Sequence, residues 1–102
     1  MKGSKMDESR FQNELLSNYE KAAVLGVNAK RAVSAIKSRG AAAYAHDLIK
    51  RGIMSDGFEQ LAGMGKLSLS LEATAVKSEY AQLFSDDEVN ACYALLCEYN
   101  YF

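Results

Sequence analysis

Three glycines divide the first half of this proline-free chain into segments whose apolar residues repeat with the period of an α-helix. The segments are 8–25, 29–39 and 41–51, and they are followed by Gly26, Gly40 and Gly52. Glycine readily adopts the left-handed conformation that closes many helices, whereas proline is excluded from helix interiors. The sequence therefore predicts three consecutive helices in this half of the chain.

The apolar residues of each segment fall on one side of the predicted helix. They are Phe11, Leu15, Leu16, Tyr19, Ala22 and Ala23, then Ala29, Ala32, Val33 and Ile36, and finally Tyr44, Ala45, Leu48 and Ile49. Asn28 has the side chain of a helix cap, directly before the second segment. One apolar stripe per helix favours packing around a shared core.

The stretch KLSLSLEATAV, residues 66–76, combines two periods. Leu67, Leu69 and Leu71 alternate with polar residues as in a β-strand. A lone strand would leave its backbone amides unpaired, and no other segment is a convincing partner. We therefore predict that Leu67 is extended, that all three leucines face the core, and that a helix starts near Ser70 within 69–78.

Cap residues mark two further helices. Ser55 or Asp56 is predicted to cap a short helix that contains Phe58 and Leu61. Ser85-Asp86-Asp87-Glu88 has the pattern of a capping box, in which the serine hydroxyl and the glutamate each bond a backbone amide of the other residue. This box predicts a last helix over 86–98 with four inward residues, Val89, Cys92, Tyr93 and Leu96.

These elements predict an all-α fold, a single compact domain of about five helices. A three-helix N-terminal unit is joined to a C-terminal helical pair by the glycine-bearing segment 52–68. Residues 1–7 are expected to be a flexible N-terminus, and residues 8–102 the helical domain. Residues 1–5 have the composition of an expression-vector remnant before a native start at Met6.

Composition and residue pattern exclude several classes of protein. Hydrophobic residues make up 49% and charged residues 25%, as in ordinary globular proteins. No apolar run is long enough to span a membrane, and the N-terminus lacks the apolar region of a secretory signal, so a cytoplasmic location is expected.

Cys92 and Cys97 point about 140° apart on a helix and are expected to stay reduced. His46 and Asp47 are adjacent and form no catalytic dyad, so no enzyme activity, cofactor or metal is predicted.

The chain also resembles a family of small bacterial helical proteins and appended domains to which no activity is assigned. The resemblance runs from about Tyr19 to Phe102. Its central signature is SDGF at 55–58, followed by Leu61, a short spacer and GKLSLSLEA at 65–73. Ala62 stands where that signature has a tryptophan. The resemblance implies a helical module and supplies no catalytic residues.

Charge is unevenly distributed along the chain. Residues 30–51 contain six basic side chains against one acidic side chain, a net charge of +5, whereas residues 66–102 contain two against six, a net charge of −4. A basic surface on the second and third helices could bind nucleic acid in the manner of a helix-turn-helix pair. The candidate contacts are Lys30, Arg31, Lys37, Arg39, Lys50 and Arg51. The alternative is a solvated face, which the whole-chain pI of 5.8 favours.

Aromatic residues crowd the C-terminus. Tyr99, Tyr101 and Phe102 either complete a small core or form a surface for a protein partner or for self-association, because tyrosine is enriched at interface hot spots. We therefore expect a non-catalytic helical protein-interaction or regulatory module. The alternative is a nucleic-acid-binding adaptor that uses residues 30–51.

Overall fold

The computed structural model describes residues 4–102, and these residues form six α-helices and no β-strand. The helices are α1 (Ser4–Val24), α2 (Lys30–Arg39), α3 (Ala41–Arg51), α4 (Phe58–Gly63), α5 (Leu71–Ala75) and α6 (Asp86–Glu98). Short 3₁₀ turns at Leu67–Leu69 and Ser78–Tyr80 flank α5. The predicted all-α class is confirmed.

Helix boundaries follow the predictions closely in the first half of the chain. α3 covers the predicted 41–51, and α2 begins one residue later than predicted. α1 begins at Ser4, so residues 4–7, predicted to be flexible, are helical. The rest of the predicted flexible N-terminus, residues 1–3, lies outside the described residues.

α1 is the central helix of the fold, because it contacts α2, α3, α5 and both 3₁₀ turns. Phe11 is fully buried, and its ring meets Tyr80 and Phe84 edge to face at centroid distances of 5.2 and 5.4 Å. Asn18 of α1 donates a buried hydrogen bond to Thr74 Oγ1 of α5 at 3.2 Å. The first helix thus joins the two halves of the chain. Ala23, predicted to face the core, is exposed.

The glycine after α3 closes its helix as predicted, with Gly52 in the left-handed conformation and the Ile53 amide donating to the Leu48 carbonyl at 3.1 Å. Gly40, the glycine after α2, does not close its helix in this way. Gly40 has φ 95° and ψ 146°, which is not the left-handed helical conformation, and it joins α2 directly to α3. The amide of Ala41 then donates to Gln12 Oε1 of α1 at 3.0 Å.

The stretch 66–76 is helical rather than a strand, as predicted, but its first part is a 3₁₀ turn and Leu67 is not extended. Ser70 caps α5 by accepting from the Ala73 amide at 3.1 Å. Leu67 and Leu71 are buried, and Leu69 is partly buried. α5 ends at Ala75, three residues before the predicted end.

Two predicted caps have different outcomes. The predicted capping box at Ser85 is confirmed, because Glu88 N–H donates to Ser85 Oγ at 3.2 Å and Ser85 N–H donates to Glu88 Oε1 at 2.9 Å. The cap predicted at Ser55 or Asp56 is wrong, since α4 begins after Gly57 and no side chain caps it. The Ser55 hydroxyl is used elsewhere, in a buried contact described below.

Candidate interaction surfaces

Three aromatic side chains lie together on the surface at the C-terminal end of the chain. Tyr93, Tyr101 and Phe102 are 40%, 38% and 63% exposed. The Phe102 ring lies 5.1 Å from that of Tyr93 and 4.9 Å from that of Tyr101. We call these three residues the aromatic patch. The prediction that Tyr93 is buried is therefore wrong, because its side chain lies at the surface beside Phe102.

Tyr99, grouped with the partner contacts in the sequence prediction, lies apart from the aromatic patch. Its ring packs edge to face on buried Phe58 at 5.1 Å, and its hydroxyl donates to Glu59 at 3.3 Å. After it, Asn100 adopts a left-handed φ of 61°, and the Tyr101 amide donates to the Leu96 carbonyl at 2.9 Å. The tail is thus folded back: Tyr99 contacts the core and the two residues after Asn100 face solvent.

All six predicted basic residues of α2 and α3 are exposed. Arg51 pairs with Asp47 at 3.1 Å, and Arg39 approaches the same carboxylate at 3.9 Å. The other four, Lys30, Arg31, Lys37 and Lys50, have no ion pair within residues 4–102. Asp47, the single acidic residue of segment 30–51, therefore offsets only the charges of Arg39 and Arg51, which lie at the C-terminal ends of α2 and α3.

A groove of about 550 Å³ runs between the C-terminal end of α1 and α2, and sequence reasoning did not find it. Its apolar lining includes Val27, Ala29 and Val33, and two of the predicted basic residues, Lys30 and Lys37, line it as well. We call this feature the α1–α2 groove. The helical period of α2 indicated its inward face, but not the gap between two helices.

The second site that sequence reasoning missed is a buried carboxylate. Glu72 is 4% exposed, and it accepts hydrogen bonds from the Ser55 amide at 2.8 Å and the Ser55 hydroxyl at 2.7 Å. Burial raises the pKa of Glu72, and the two bonds from Ser55 oppose that rise only in part. Glu72 lies in the first turn of α5, but its hydrogen-bond partner, Ser55, lies 17 residues earlier in the sequence.

Tyrosine hydroxyls lie around this carboxylate. The hydroxyl of Tyr19 is buried without a hydrogen-bond partner, and burial, together with the nearby Tyr44 and Glu72, raises its pKa. Burial likewise raises the pKa of Tyr44, with Asp56 adding to the effect. The two hydrogen bonds from Ser55 to Glu72 hold the segment before α4 to α5.

His46 is held by residues of α6 rather than by its neighbour in the sequence. Its Nδ1 lies 2.6 Å from Glu88 Oε2, and its ring packs on Phe84 at 5.1 Å. The carboxylate of Asp47 instead contacts arginines. His46 therefore joins α3 to the start of α6, an arrangement that fits a structural contact.

No protein-family model, no curated protein and no solved structure matches this chain significantly. The resemblance drawn from the SDGF and GKLSLSLEA segments stays a prediction. Ser55 begins the first of these segments and Glu72 lies near the end of the second, so their hydrogen bonds give the two segments a physical connection. Among residues 4–102, no helix has the length and apolar character needed to cross a membrane.

Proposed function

We propose that this chain is a non-catalytic helical protein-interaction or regulatory module, and that the aromatic patch is its contact surface for a protein partner. The observation that supports the proposal most directly is the exposure of three mutually packed rings, Tyr93, Tyr101 and Phe102. Aromatic side chains bury a large area with few rotatable bonds, which makes them frequent hot spots at protein interfaces.

The position of the patch is fixed before any partner binds. Tyr99 packs on Phe58, and the Tyr101 amide bonds to the last turn of α6. A preorganised surface loses less conformational entropy on binding than a flexible tail does. This supports a docking role for Tyr101 and Phe102 and a supporting role for Tyr99.

Replacing both Tyr101 and Phe102 with alanine is expected to weaken partner binding or self-association by at least about tenfold, the effect of losing one hot spot. The unfolding temperature should change by only a few degrees, because both side chains are exposed. Sedimentation of the purified chain measures self-association, and affinity capture from host lysate measures partner binding. Each experiment is repeated with the variant.

Met64→Ala is the matched control for that experiment, since Met64 is 46% exposed and is not part of the aromatic patch. It should change neither binding nor stability. A large fall in unfolding temperature for the double variant would identify the tail as core. Self-association and capture that both match those of the parent would contradict the proposal.

A nucleic-acid-binding adaptor is the second candidate. Its support is the group of four exposed basic side chains on α2 and α3 that have no ion pair within residues 4–102, together with Arg39 and Arg51 beside them. A protein that neutralises phosphates releases counterions, so its affinity falls as salt rises.

On this alternative, duplex DNA binding should weaken steeply between two salt concentrations. Replacing Arg31, Arg39 and Arg51 together with glutamine should reduce the slope of log affinity against log salt by roughly 3, about 0.9 for each lost phosphate contact. Fluorescence anisotropy measures both quantities. Absence of salt-sensitive binding in the parent protein would eliminate this candidate.

A further inference from the structure

We propose that the α1–α2 groove binds an acidic amphipathic helix of a partner protein. The inference deepens the proposed interaction function and rests on it, but it concerns a surface separate from the aromatic patch. The residues that carry it are the apolar lining and two lysines of α2.

The lining of the groove is suited to apolar side chains. Val27 and Ala29, in the turn between α1 and α2, are buried residues of the lining, and the exposed Ala23 of α1 and the half-buried Val33 of α2 extend the apolar lining to the surface. A partner's apolar side chains would remove this lining from water, which favours binding.

The positive charge of the groove favours a negatively charged partner. Lys30 and Lys37 both line it, no acidic residue does, and neither lysine has an ion pair within the described part of the chain. They are seven residues apart on α2, which places them about 10.5 Å apart along the axis and on nearly the same side. A helix with carboxylates seven residues apart and apolar residues between them matches this spacing.

Other anionic partners match the groove less well. A nucleic-acid backbone has closely spaced phosphates and no apolar stripe to fill the space beside Val33. An anionic membrane presents a flat surface, whereas these residues line a recess between two helices. A volume of about 550 Å³ accommodates several apolar side chains, as in other complexes in which a helix lies in a groove.

The probe is a labelled synthetic peptide of about 18 residues, long enough to form a helix, with leucines on one face and two glutamates seven residues apart beside them. A second peptide has lysines in place of those glutamates. Fluorescence anisotropy of the full chain should show binding of the glutamate peptide that weakens with salt. The lysine peptide should bind the parent at least about tenfold more weakly, because its charges oppose those of Lys30 and Lys37.

Variants of the chain then locate the site. Lys30→Glu with Lys37→Glu should weaken binding of the glutamate peptide at least about tenfold and should strengthen binding of the lysine peptide above that of the parent. Lys50→Glu with Arg51→Glu makes the same charge change away from the groove, and should leave binding within about twofold. Circular dichroism confirms that each variant is folded.

The inference is overturned if the parent does not bind the glutamate peptide, or if both double variants bind it equally. It is also overturned if the parent binds duplex DNA or anionic vesicles but not the peptide. Loss of both Tyr101 and Phe102 should leave peptide binding intact. Failure of the aromatic patch as a partner surface and failure of the groove would therefore give different results.

Discussion

Substituting Gly57 with alanine is expected to lower the free energy of unfolding by about 2–5 kcal/mol. Gly57 has φ +84°, a left-handed conformation that costs an L-residue about 1–2 kcal/mol. A Cβ at this position would also lie 2.9 Å from Cγ1 of Val27, which is 2% exposed. Relieving such an overlap in a packed core costs about a further 1–3 kcal/mol.

Gly52→Ala is the matched control for this prediction. Gly52 has φ +70°, but a Cβ there would have nothing within 4 Å, so only the backbone cost of about 1–2 kcal/mol applies. Both substitutions reduce the entropy of the unfolded chain similarly, and this effect cancels in the comparison. Urea unfolding of the two variants measures the difference. Equal losses would mean that Val27 moves aside at no cost, which would contradict the prediction.

Replacing Glu72 with glutamine is expected to flatten the dependence of stability on pH above about 4.5. Burial raises the pKa of Glu72 from its ordinary value of 4.5, so the folded protein holds this proton more tightly than the unfolded chain does. The resulting stabilisation is complete below pH 4.5 and is lost as the pH rises through the folded pKa. The loss for one such group is at most about 1.4 kcal/mol per pH unit.

The other groups with shifted pKa values are shifted away from this window. Burial raises the pKa of the Cys92 thiol to about 12 and also raises those of Tyr19 and Tyr44, so all three stay neutral well above it. Glu14 and Glu88 also titrate outside it. Burial opposes ionisation at both, but hydrogen bonds from Lys77 and Tyr80 to the former, and from Ser85 and His46 to the latter, lower their pKa values. Their stabilisation is lost below pH 4.5.

Urea unfolding of the parent and of Glu72→Gln across pH 4–8 measures this difference. Glu72→Ala serves as the second variant, because it removes both acceptors of the Ser55 donors and is expected to cost about 2 kcal/mol. Identical pH profiles for the parent and the glutamine variant would contradict the prediction. Stability of the alanine variant equal to that of the glutamine variant would show that the Ser55 hydrogen bonds add nothing.

Local signals predicted most of the secondary structure, because they act over a few residues. The capping box at Ser85 specifies the start of α6, and the 3.6-residue period of α3 specifies both its ends and its buried side. The stretch KLSLSLEATAV fits the period of a strand and that of a helix. The argument that a strand here would have no partner correctly selected the helix. It could not give the 3₁₀ geometry of Leu67–Leu69, since the choice between two helical turns depends on the packing around them.

Contacts between distant residues were not predictable in the same way. Nothing in the local pattern around Glu72 indicates that its partner is Ser55, because the two residues meet only after α4 and the 3₁₀ turn are in place. Tyr93 has the helical spacing of a core residue, but its side chain is 40% exposed and lies beside Phe102. The α1–α2 groove likewise depends on how two amphipathic helices are separated, a distance that hydrophobic periodicity does not encode.

The central position of α1 has a consequence for the order in which the chain folds during synthesis. Its side chains bond residues made 56 to 69 positions later: Asn18 bonds Thr74, Glu14 bonds Tyr80, and Arg10 bonds Glu79. A nascent chain that ends at α3 therefore exposes the face of α1 that Tyr80 and Phe84 will cover. Contacts this distant in sequence slow folding and leave apolar surface open to aggregation until they form. α1 is thus made before the five helices that follow it but is among the last to be fully packed.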